Sequence, residues 1–155
     1  MKSVLVAIAV VVAAIALPGC GGSDPEPVDL AAIEGTWRYE LTYDYLVEQG
    51  IGTAQAEAES GMHTATLGNG EFKDRWKTAE GRVGSCSGVY TADDAKVVFR
   101  WSEGCFGDWE MKPEISGNEI AWSDIEVLPP YDDEEEQRVA EAFNSVPWTR
   151  VEDAS

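Results

Sequence analysis

One hairpin decides the fold, and its sequence is Met62-His63-Thr64-Ala65-Thr66-Leu67-Gly68-Asn69-Gly70-Glu71-Phe72-Lys73-Asp74-Arg75-Trp76. The turn Gly68-Asn69-Gly70 is a strong hairpin signal, because asparagine and glycine tolerate the positive φ that a tight turn requires. After the turn, Phe72 and Trp76 alternate with charged residues, which is typical of a strand with one buried face. The stretch therefore predicts an antiparallel strand pair whose first member is Met62 to Leu67.

The same alternation continues on both sides of this hairpin, from Asp29 onward. Short alternating runs separated by glycine-containing turns are typical of an all-β meander. The other predicted strands are the run that holds Trp37, Tyr39 and Leu41, then Gly84 to Tyr90, Val97 to Trp101, Cys105 to Lys112, Glu119 to Val127 and Val146 to Val151. Eight strands close into a barrel whose interior is filled by side chains or by one small ligand. We therefore expect an all-β fold, a small antiparallel eight-stranded barrel.

Two segments interrupt the strands. Tyr43 to Ser60 ends in an alanine- and glutamate-rich run and is broken by Gly50 and Gly52, which predicts a helix-turn-helix between the first two strands. Tyr131 to Phe143 predicts a helix whose first turn carries the acidic run Asp132 to Glu136, at the positive end of the helix dipole. A solvated face or a mobile loop is favoured over a calcium site for this run, because the spacing of a calcium-binding loop is absent.

The N-terminus predicts export. Met1-Lys2-Ser3 is a short positive start, and Val4 to Leu17 is an apolar run of 14 residues. Such a run is too short to cross a hydrocarbon core of about 30 Å as a helix and is typical of a signal peptide. We expect residues 1–19 to be the signal, 20–28 a flexible tether, 29–151 the barrel domain and 152–155 a C-terminal tail.

The apolar run ends in Leu17-Pro18-Gly19-Cys20, which resembles the lipobox of bacterial lipoproteins. The resemblance implies that Cys20 becomes the first residue of the mature protein and carries the lipid that anchors it to the outer face of the bacterial cell membrane. Each buried acyl CH₂ contributes about 0.8 kcal/mol, so two or more chains would anchor the protein firmly. The alternative is an ordinary cleaved signal peptide with Cys20 as a free thiol.

Cys86 and Cys105 remain after Cys20 is assigned to the anchor. An even pair in an oxidising compartment favours a structural disulfide. Metal binding or redox chemistry is the less favoured alternative, because the sequence has no Cys-x-x-Cys motif and no obvious further ligands near both cysteines.

Three positions carry a family resemblance. Gly35-Thr36-Trp37 is similar to the Gly-x-Trp signature of lipocalins, and Arg150 matches the arginine that packs across that tryptophan in the superfamily. The helical insertion is similar to the lid of fatty-acid-binding proteins. Residues 30–151 as a whole resemble lipocalin-like lipoproteins of high-GC Gram-positive bacteria. The resemblance implies a lipocalin-like barrel closed by Trp37 and Arg150, with a cation–π contact of about 0.5 to 2 kcal/mol between them.

The charge and histidine content exclude several functions. The chain has 29 Asp and Glu against 11 Lys and Arg, a net charge of −18, so phosphate backbones would repel it and nucleic acid is not an expected partner. Its single histidine, His63, is too few for a multi-histidine metal centre or a conventional Ser/His/Asp hydrolase. We expect no metal, no cofactor and no catalytic residues, and we expect a monomer.

The titratable residues of the strands give weaker indications. His63 is expected to be a surface or packing residue rather than a general base. Asp74, Asp108 and Asp124 lie in or beside aromatic stripes. They either face the interior as paired carboxylates or turn outward at strand bulges, and the outward orientation is favoured.

Large side chains at inward positions support a binding hypothesis. They either line a hydrophobic pocket open at one end or fill the barrel, and the filled barrel is slightly favoured. The candidate residues are Tyr39, Trp76, Phe99, Trp101, Trp109, Met111 and Trp122.

Two functions follow, neither of them enzymatic. The first is a membrane-anchored lipoprotein that binds a small hydrophobic or cationic ligand in its barrel. The second is an interaction or inhibitor module that binds a basic envelope protein through its acidic surface.

Overall fold

A computed structural model describes residues 27–105 and 107–151, and the predicted signal, Cys20, most of the tether and the C-terminal tail lie outside them. Eight antiparallel strands form a closed barrel in chain order, which confirms the predicted all-β fold. The strands are β1 (Gly35–Leu41), β2 (Gly61–Gly68), β3 (Glu71–Lys77), β4 (Val83–Asp93), β5 (Lys96–Glu103), β6 (Asp108–Ser116), β7 (Glu119–Leu128) and β8 (Trp148–Arg150).

The β2–β3 hairpin forms as its sequence predicts. Asn69 and Gly70 have φ angles of 53° and 76°, and Gly68 pairs with Glu71 at the turn. The pairing brings His63 opposite Trp76, and all three inward positions of β3, which are Phe72, Asp74 and Trp76, are buried. An unbroken period of two therefore sends an aspartate into the barrel between two rings.

The described part of the chain also contains four helices. They are α1 (Leu30–Ile33), α2 (Tyr43–Glu48), α3 (Thr53–Glu59) and α4 (Glu134–Asn144). The pair α2 and α3 is the predicted helix-turn-helix between β1 and β2. Helix α4 begins later than predicted, because Asp133 is its N-cap and accepts hydrogen bonds from the backbone N–H groups of Glu135 and Glu136. The short helix α1 was not expected from the sequence.

Strands β6 and β8 begin later than predicted. Strand β6 begins at Asp108 rather than at Cys105, because Gly104 and Gly107 have φ angles of 80° and 88° and lie outside the extended region. Strand β8 begins only at Trp148, directly after Pro147, which has no backbone N–H to offer to a neighbouring strand.

One end of the barrel is closed around Trp37, whose side chain is fully buried. The indole N–H of Trp37 donates to the carbonyl of Ile33 at 2.8 Å, and the guanidinium carbon of Arg150 lies 4.2 Å from the centre of its ring. Arg150 also donates to the carbonyls of Ala32 and Glu34, at 2.9 and 2.8 Å. These contacts connect β8, β1 and α1.

Cys86 of β4 and Cys105 lie at disulfide distance, with their Cα atoms 5.4 Å apart. The pair is separated by 19 residues in sequence. A cross-link of that span stabilises a fold by about 3 kcal/mol in the chain-entropy account. It would connect β4 to the segment that follows β5.

We expect Trp37→Ala to lower the free energy of unfolding by about 3 to 5 kcal/mol, because it leaves a large cavity and removes the ring under Arg150. Urea denaturation followed by circular dichroism measures this change. Val83→Ala is the control, since Val83 is 74% exposed and its truncation should change stability by less than about 0.5 kcal/mol. An unchanged midpoint for Trp37→Ala would contradict the closure described here.

Candidate functional site

A cavity of about 220 Å³ lies inside the barrel, lined by inward residues of the strands and by residues of α3 and α4. Its rim includes Gln55 and Glu59 of α3 and Glu136, Val139 and Phe143 of α4. Six of the seven predicted interior residues line it; Trp122 is buried but packs between Phe99 and Trp148 instead. The lining residues among the candidates are Tyr39, Trp76, Phe99, Trp101, Trp109 and Met111. Aromatic side chains thus fill much of the interior and leave this cavity among them.

Four rings form a stacked column across one wall of the barrel. Tyr39 of β1 lies between Trp148 of β8 and His63 of β2, with ring centroids 4.8 and 4.7 Å apart. His63 in turn stacks on Trp76 of β3 at 5.4 Å. Adjacent strands contribute these rings in register, so the column connects four strands of the barrel.

A buried polar network runs beside this column. The hydroxyl of Tyr39 donates to Asp74 Oδ2 at 2.9 Å, and Nδ1 of His63 lies 2.9 Å from the same oxygen. Nε2 of His63 lies 2.8 Å from the carbonyl oxygen of Glu59. A carbonyl only accepts, so Nε2 carries a proton, and one further proton lies between Nδ1 and Oδ2. Whichever atom holds that proton, the His63–Asp74 pair is neutral overall.

The outward orientation expected for the strand aspartates is wrong for Asp74. Asp74 is only 6% exposed, because β3 has no bulge at this position. Asp124 is exposed, with a φ of 48°, within the register shift between β6 and β7. Asp108 pairs with Arg100 at 3.0 Å on the outside of the barrel. His63 is a packing residue, as expected, but it also has two polar partners.

Three side chains of the barrel bind the C-terminal end of α3. Arg82 donates to the carbonyl of Glu57 at 3.0 Å, and Trp76 donates to that of Ala58 at 2.9 Å. His63 Nε2 donates to the carbonyl of Glu59. The last carbonyls of a helix have no partner within the helix, so these donors satisfy them and fix α3 over the cavity.

The cavity lining is acidic. It includes the carboxyl groups of Glu59, Asp74 and Glu136, and among the described lining residues there is no lysine or arginine. Burial raises the pKa of Glu59, with a smaller increase from the charge of Asp74 and a decrease from His63. Burial also raises the pKa of Glu136, although the nearby indole of Trp109 lowers it. Burial and the neighbouring Asp74 raise the pKa of Tyr39 well above its ordinary value, so its hydroxyl remains a donor.

Some polar atoms in the cavity wall have no partner among the described residues. Asp74 Oδ1 and the indole nitrogens of Trp101 and Trp148 are buried and make no hydrogen bond. A buried polar group without a partner costs about 1 to 3 kcal/mol. Such groups are rare in folded proteins and need an explanation.

The residues of this site differ in how far they can be predicted from the sequence. The inward position of Asp74 follows from strict alternation between Phe72 and Trp76, and His63 follows from the same rule in β2. No comparable signal identified Glu59 or Glu136, because each lies on a helix whose rotation depends on packing.

Within residues 27–105 and 107–151, no group of three or more His, Cys, Asp or Glu residues is placed to hold a metal ion.

No protein-family model matches this chain, and no curated protein is significantly similar to it in sequence. In the described part of the chain, none of the helices combines the length and apolar character needed to cross a membrane.

Glu59→Gln should make the protein more stable than the wild type above about pH 5, by an amount that grows as pH rises. The raised pKa means that the folded state holds this proton more tightly than the unfolded state, so ionisation above the ordinary value of 4.5 lowers stability. Glutamine does not titrate. Urea denaturation between pH 4 and pH 8 measures the difference.

The matched control is Glu57→Gln, on the exposed side of the same helix. Its stability relative to wild type should change little over this pH range. If the free energies of unfolding of Glu59→Gln and wild type change in parallel with pH, burial does not disfavour the ionised form of Glu59, and the prediction is wrong.

Proposed function

We propose that this protein binds a small organic cation inside its barrel, in the cavity between β3 and the helices α3 and α4. The observation that carries the proposal is the composition of the cavity wall: aromatic rings, the carboxyl groups of Glu59 and Glu136 beside the neutral His63–Asp74 pair, and no lysine or arginine among the described lining residues. Aromatic faces attract cations by about 2 kcal/mol when water is excluded. Carboxylates in a low-dielectric site strengthen that attraction.

The volume limits the size of the ligand. A cavity of about 220 Å³ is larger than the roughly 150 Å³ site that holds benzene. It is smaller than the pockets of about 300 Å³ or more that hold drug-sized molecules. The ligand therefore has roughly ten non-hydrogen atoms, which is enough for one ring or a short chain with an amino group and too few for a fatty acid.

The position of the helices fits a binding site that closes over its ligand. Gln55 and Glu59 of α3 and Phe143 of α4 lie at the rim. In this proposal α3 acts as a lid, held in place by the side chains that bind its last carbonyls. We also propose that Cys20 carries lipid and that the barrel lies outside the cell membrane, connected to the anchor by the predicted tether of residues 20–28.

A basic protein partner is the second candidate function. It is favoured by the first turn of α4, where the exposed Glu134 and Glu135 follow the N-cap Asp133. Association through this surface would weaken steeply with salt, whereas binding inside the barrel would depend on salt only slightly.

We expect 2-phenylethylamine to bind about tenfold tighter than its neutral analogue 2-phenylethanol at pH 7.5. The two probes share the ring and chain and differ in charge. Isothermal titration calorimetry and quenching of tryptophan fluorescence both report the affinity. Because an alkylamine stays protonated below about pH 10, a loss of affinity between pH 7.5 and pH 5 reports protonation of the protein's carboxyl groups.

Glu59→Gln should weaken binding of the amine and remove part of that pH dependence, whereas Glu57→Gln should leave both unchanged. Equal affinity for the amine and the alcohol would overturn the proposal that the ligand is a cation. Failure of both probes to bind, with the protein folded, would favour the second candidate.

The anchor is tested separately with Cys20→Ala in a bacterium that processes lipoproteins. The substitution should move the protein from the membrane fraction to the soluble fraction, because it removes the acyl chains and their burial of about 0.8 kcal/mol per CH₂. Cys86→Ala keeps Cys20 and should remain in the membrane fraction. A Cys20→Ala variant that stays with the membrane would contradict lipidation at this residue.

A further inference from the structure

The lysines and arginines of this acidic chain are unevenly distributed. Of the 11 in the sequence, four lie on the outward side of two strands, Arg38 on β1 and Lys73, Arg75 and Lys77 on β3. Strand pairing places Arg38 and Arg75 in one cross-strand row across β2. We call the outward side of β1, β2, β3 and the part of β4 that pairs with β3, residues 83–89, the basic face.

The four cations of the basic face lack the partners that other cations of the barrel have. All four are exposed, and none of them makes an ion pair with a described residue. By contrast, Lys96 and Arg100 each contact a carboxylate, at 2.6 and 3.0 Å. Alternate residues of one strand lie about 7 Å apart on the same side of a sheet, so the three cations of β3 repel one another. Anionic groups outside the chain would offset this repulsion.

The basic face and the acidic first turn of α4 lie on opposite sides of the barrel. In a closed barrel of eight strands in chain order, β3 and β7 are diametrically opposite, and α4 packs against β7. The basic face itself, whose residues are all described, has two acidic side chains, Glu40 and Glu71. At an ionic strength of about 0.15 M, charges are screened over about 8 Å. An anion beside β3 therefore responds to the local cations rather than to the net charge of −18.

The basic face also carries exposed apolar side chains. Met62 and Val83 lie on either side of Lys77 in one cross-strand row, and Val89 lies farther along β4. Cations interleaved with apolar side chains are typical of surfaces that lie in the headgroup region of a membrane. Anionic lipids attract the charges there, and the apolar groups enter the boundary of the acyl chains. This combination favours a lipid surface over an acidic protein as the partner.

We propose that the basic face docks on the anionic headgroups of the membrane that holds the lipid anchor, with the first turn of α4 facing away. This inference rests on the proposed function, because it requires the anchor at Cys20. The segment from Cys20 to Val28 spans at most about 30 Å, which is close to the diameter of a domain of this size. Any side of the barrel can therefore reach the bilayer, and the charge on each side selects the one that faces the lipid. The tether also keeps the headgroups at a high effective concentration.

The test is the acetylation of lysine side chains in the lipid-anchored protein, purified from membranes and reconstituted into vesicles. One set of vesicles contains phosphatidylcholine alone, and the other also contains the anionic lipid phosphatidylglycerol. Mass spectrometry after brief treatment with acetic anhydride gives the rate at each lysine. We expect Lys73 and Lys77 to react at least about threefold more slowly, relative to Lys112, in the anionic vesicles than in the neutral ones. The difference should be present at about 0.15 M salt and disappear at about 1 M.

Lys112 is the internal reference for these rates. It is exposed and lies beside Pro27 and Val28, where the described chain begins. A barrel that only hangs from its tether would protect Lys112 at least as much as Lys73 and Lys77. Equal relative rates in the two kinds of vesicle, or protection of Lys112 alone, would overturn the inference.

A pair of substitutions assigns the protection to the basic face. Arg38→Gln combined with Arg75→Gln removes two of its cations and leaves both lysine reporters in place, so most of the protection should be lost. Arg100→Gln removes an exposed arginine of β5 and should leave the protection unchanged. If the double variant keeps full protection, the basic face does not hold the barrel on the lipid, and the inference is wrong. If the double variant does not fold, the comparison of the two kinds of vesicle with the wild type still decides the question.

Flotation of the vesicles separates a failure of the anchor from a failure of the inference. A protein that floats with the neutral vesicles is anchored, so its acetylation rates test the basic face alone. A protein that does not float with them lacks the anchor, and the inference falls together with that part of the proposed function. Protection of Lys73 and Lys77 in intact cells, but in neither kind of vesicle, would assign the basic face to an acidic macromolecule and overturn docking on lipid.

Discussion

The hydrogen bonds of His63 are the interaction on which the interior of this barrel depends. One ring nitrogen lies against Asp74, deep in the wall of the cavity, and the other donates to the carbonyl of Glu59 at the end of α3. The imidazole is also stacked between Tyr39 and Trp76. The same side chain therefore stacks in the aromatic wall, contacts Asp74 and fixes α3 above the cavity. A substitution in the ring stack, at Asp74 or at the end of α3 therefore affects the other two through His63.

Strand β4 presents small side chains to the interior. Its inward positions opposite β3 are Gly84, Cys86 and Gly88, which pair with Trp76, Asp74 and Phe72. A side chain at Gly84 would collide with the ring of Trp76, and one at Gly88 would collide with Phe72. The rings of β3 thus lie over the backbone of β4, as is typical where glycine allows a close approach. The small residues of β4 therefore make room for the large rings of its neighbour.

The barrel was predictable because its determinants are local. The turn at Asn69 and Gly70 fixes one hairpin, and a period of two fixes which side chains face inward along each strand. The same rule gives an inward Asp74, but a buried carboxylate needs partners, and these come from residues 35 and 11 positions away. Its burial could therefore not be judged from the local pattern. The rim residues Glu59 and Glu136 depend on how two helices rotate against the barrel, which no spacing in the sequence specifies.

The buried polar groups are best understood as a cost that a purely structural interior would not carry. A neutral pair inside a barrel is often no more stable than apolar side chains of the same volume, and the carboxyl groups at the rim become less favourable as they ionise. The carboxyl groups of the cavity are not needed to make the protein acidic, because the chain already has a net charge of −18. Aromatic residues alone would close the interior more firmly. Groups that lower stability and face a cavity are typical of binding sites, where the ligand supplies the missing partners.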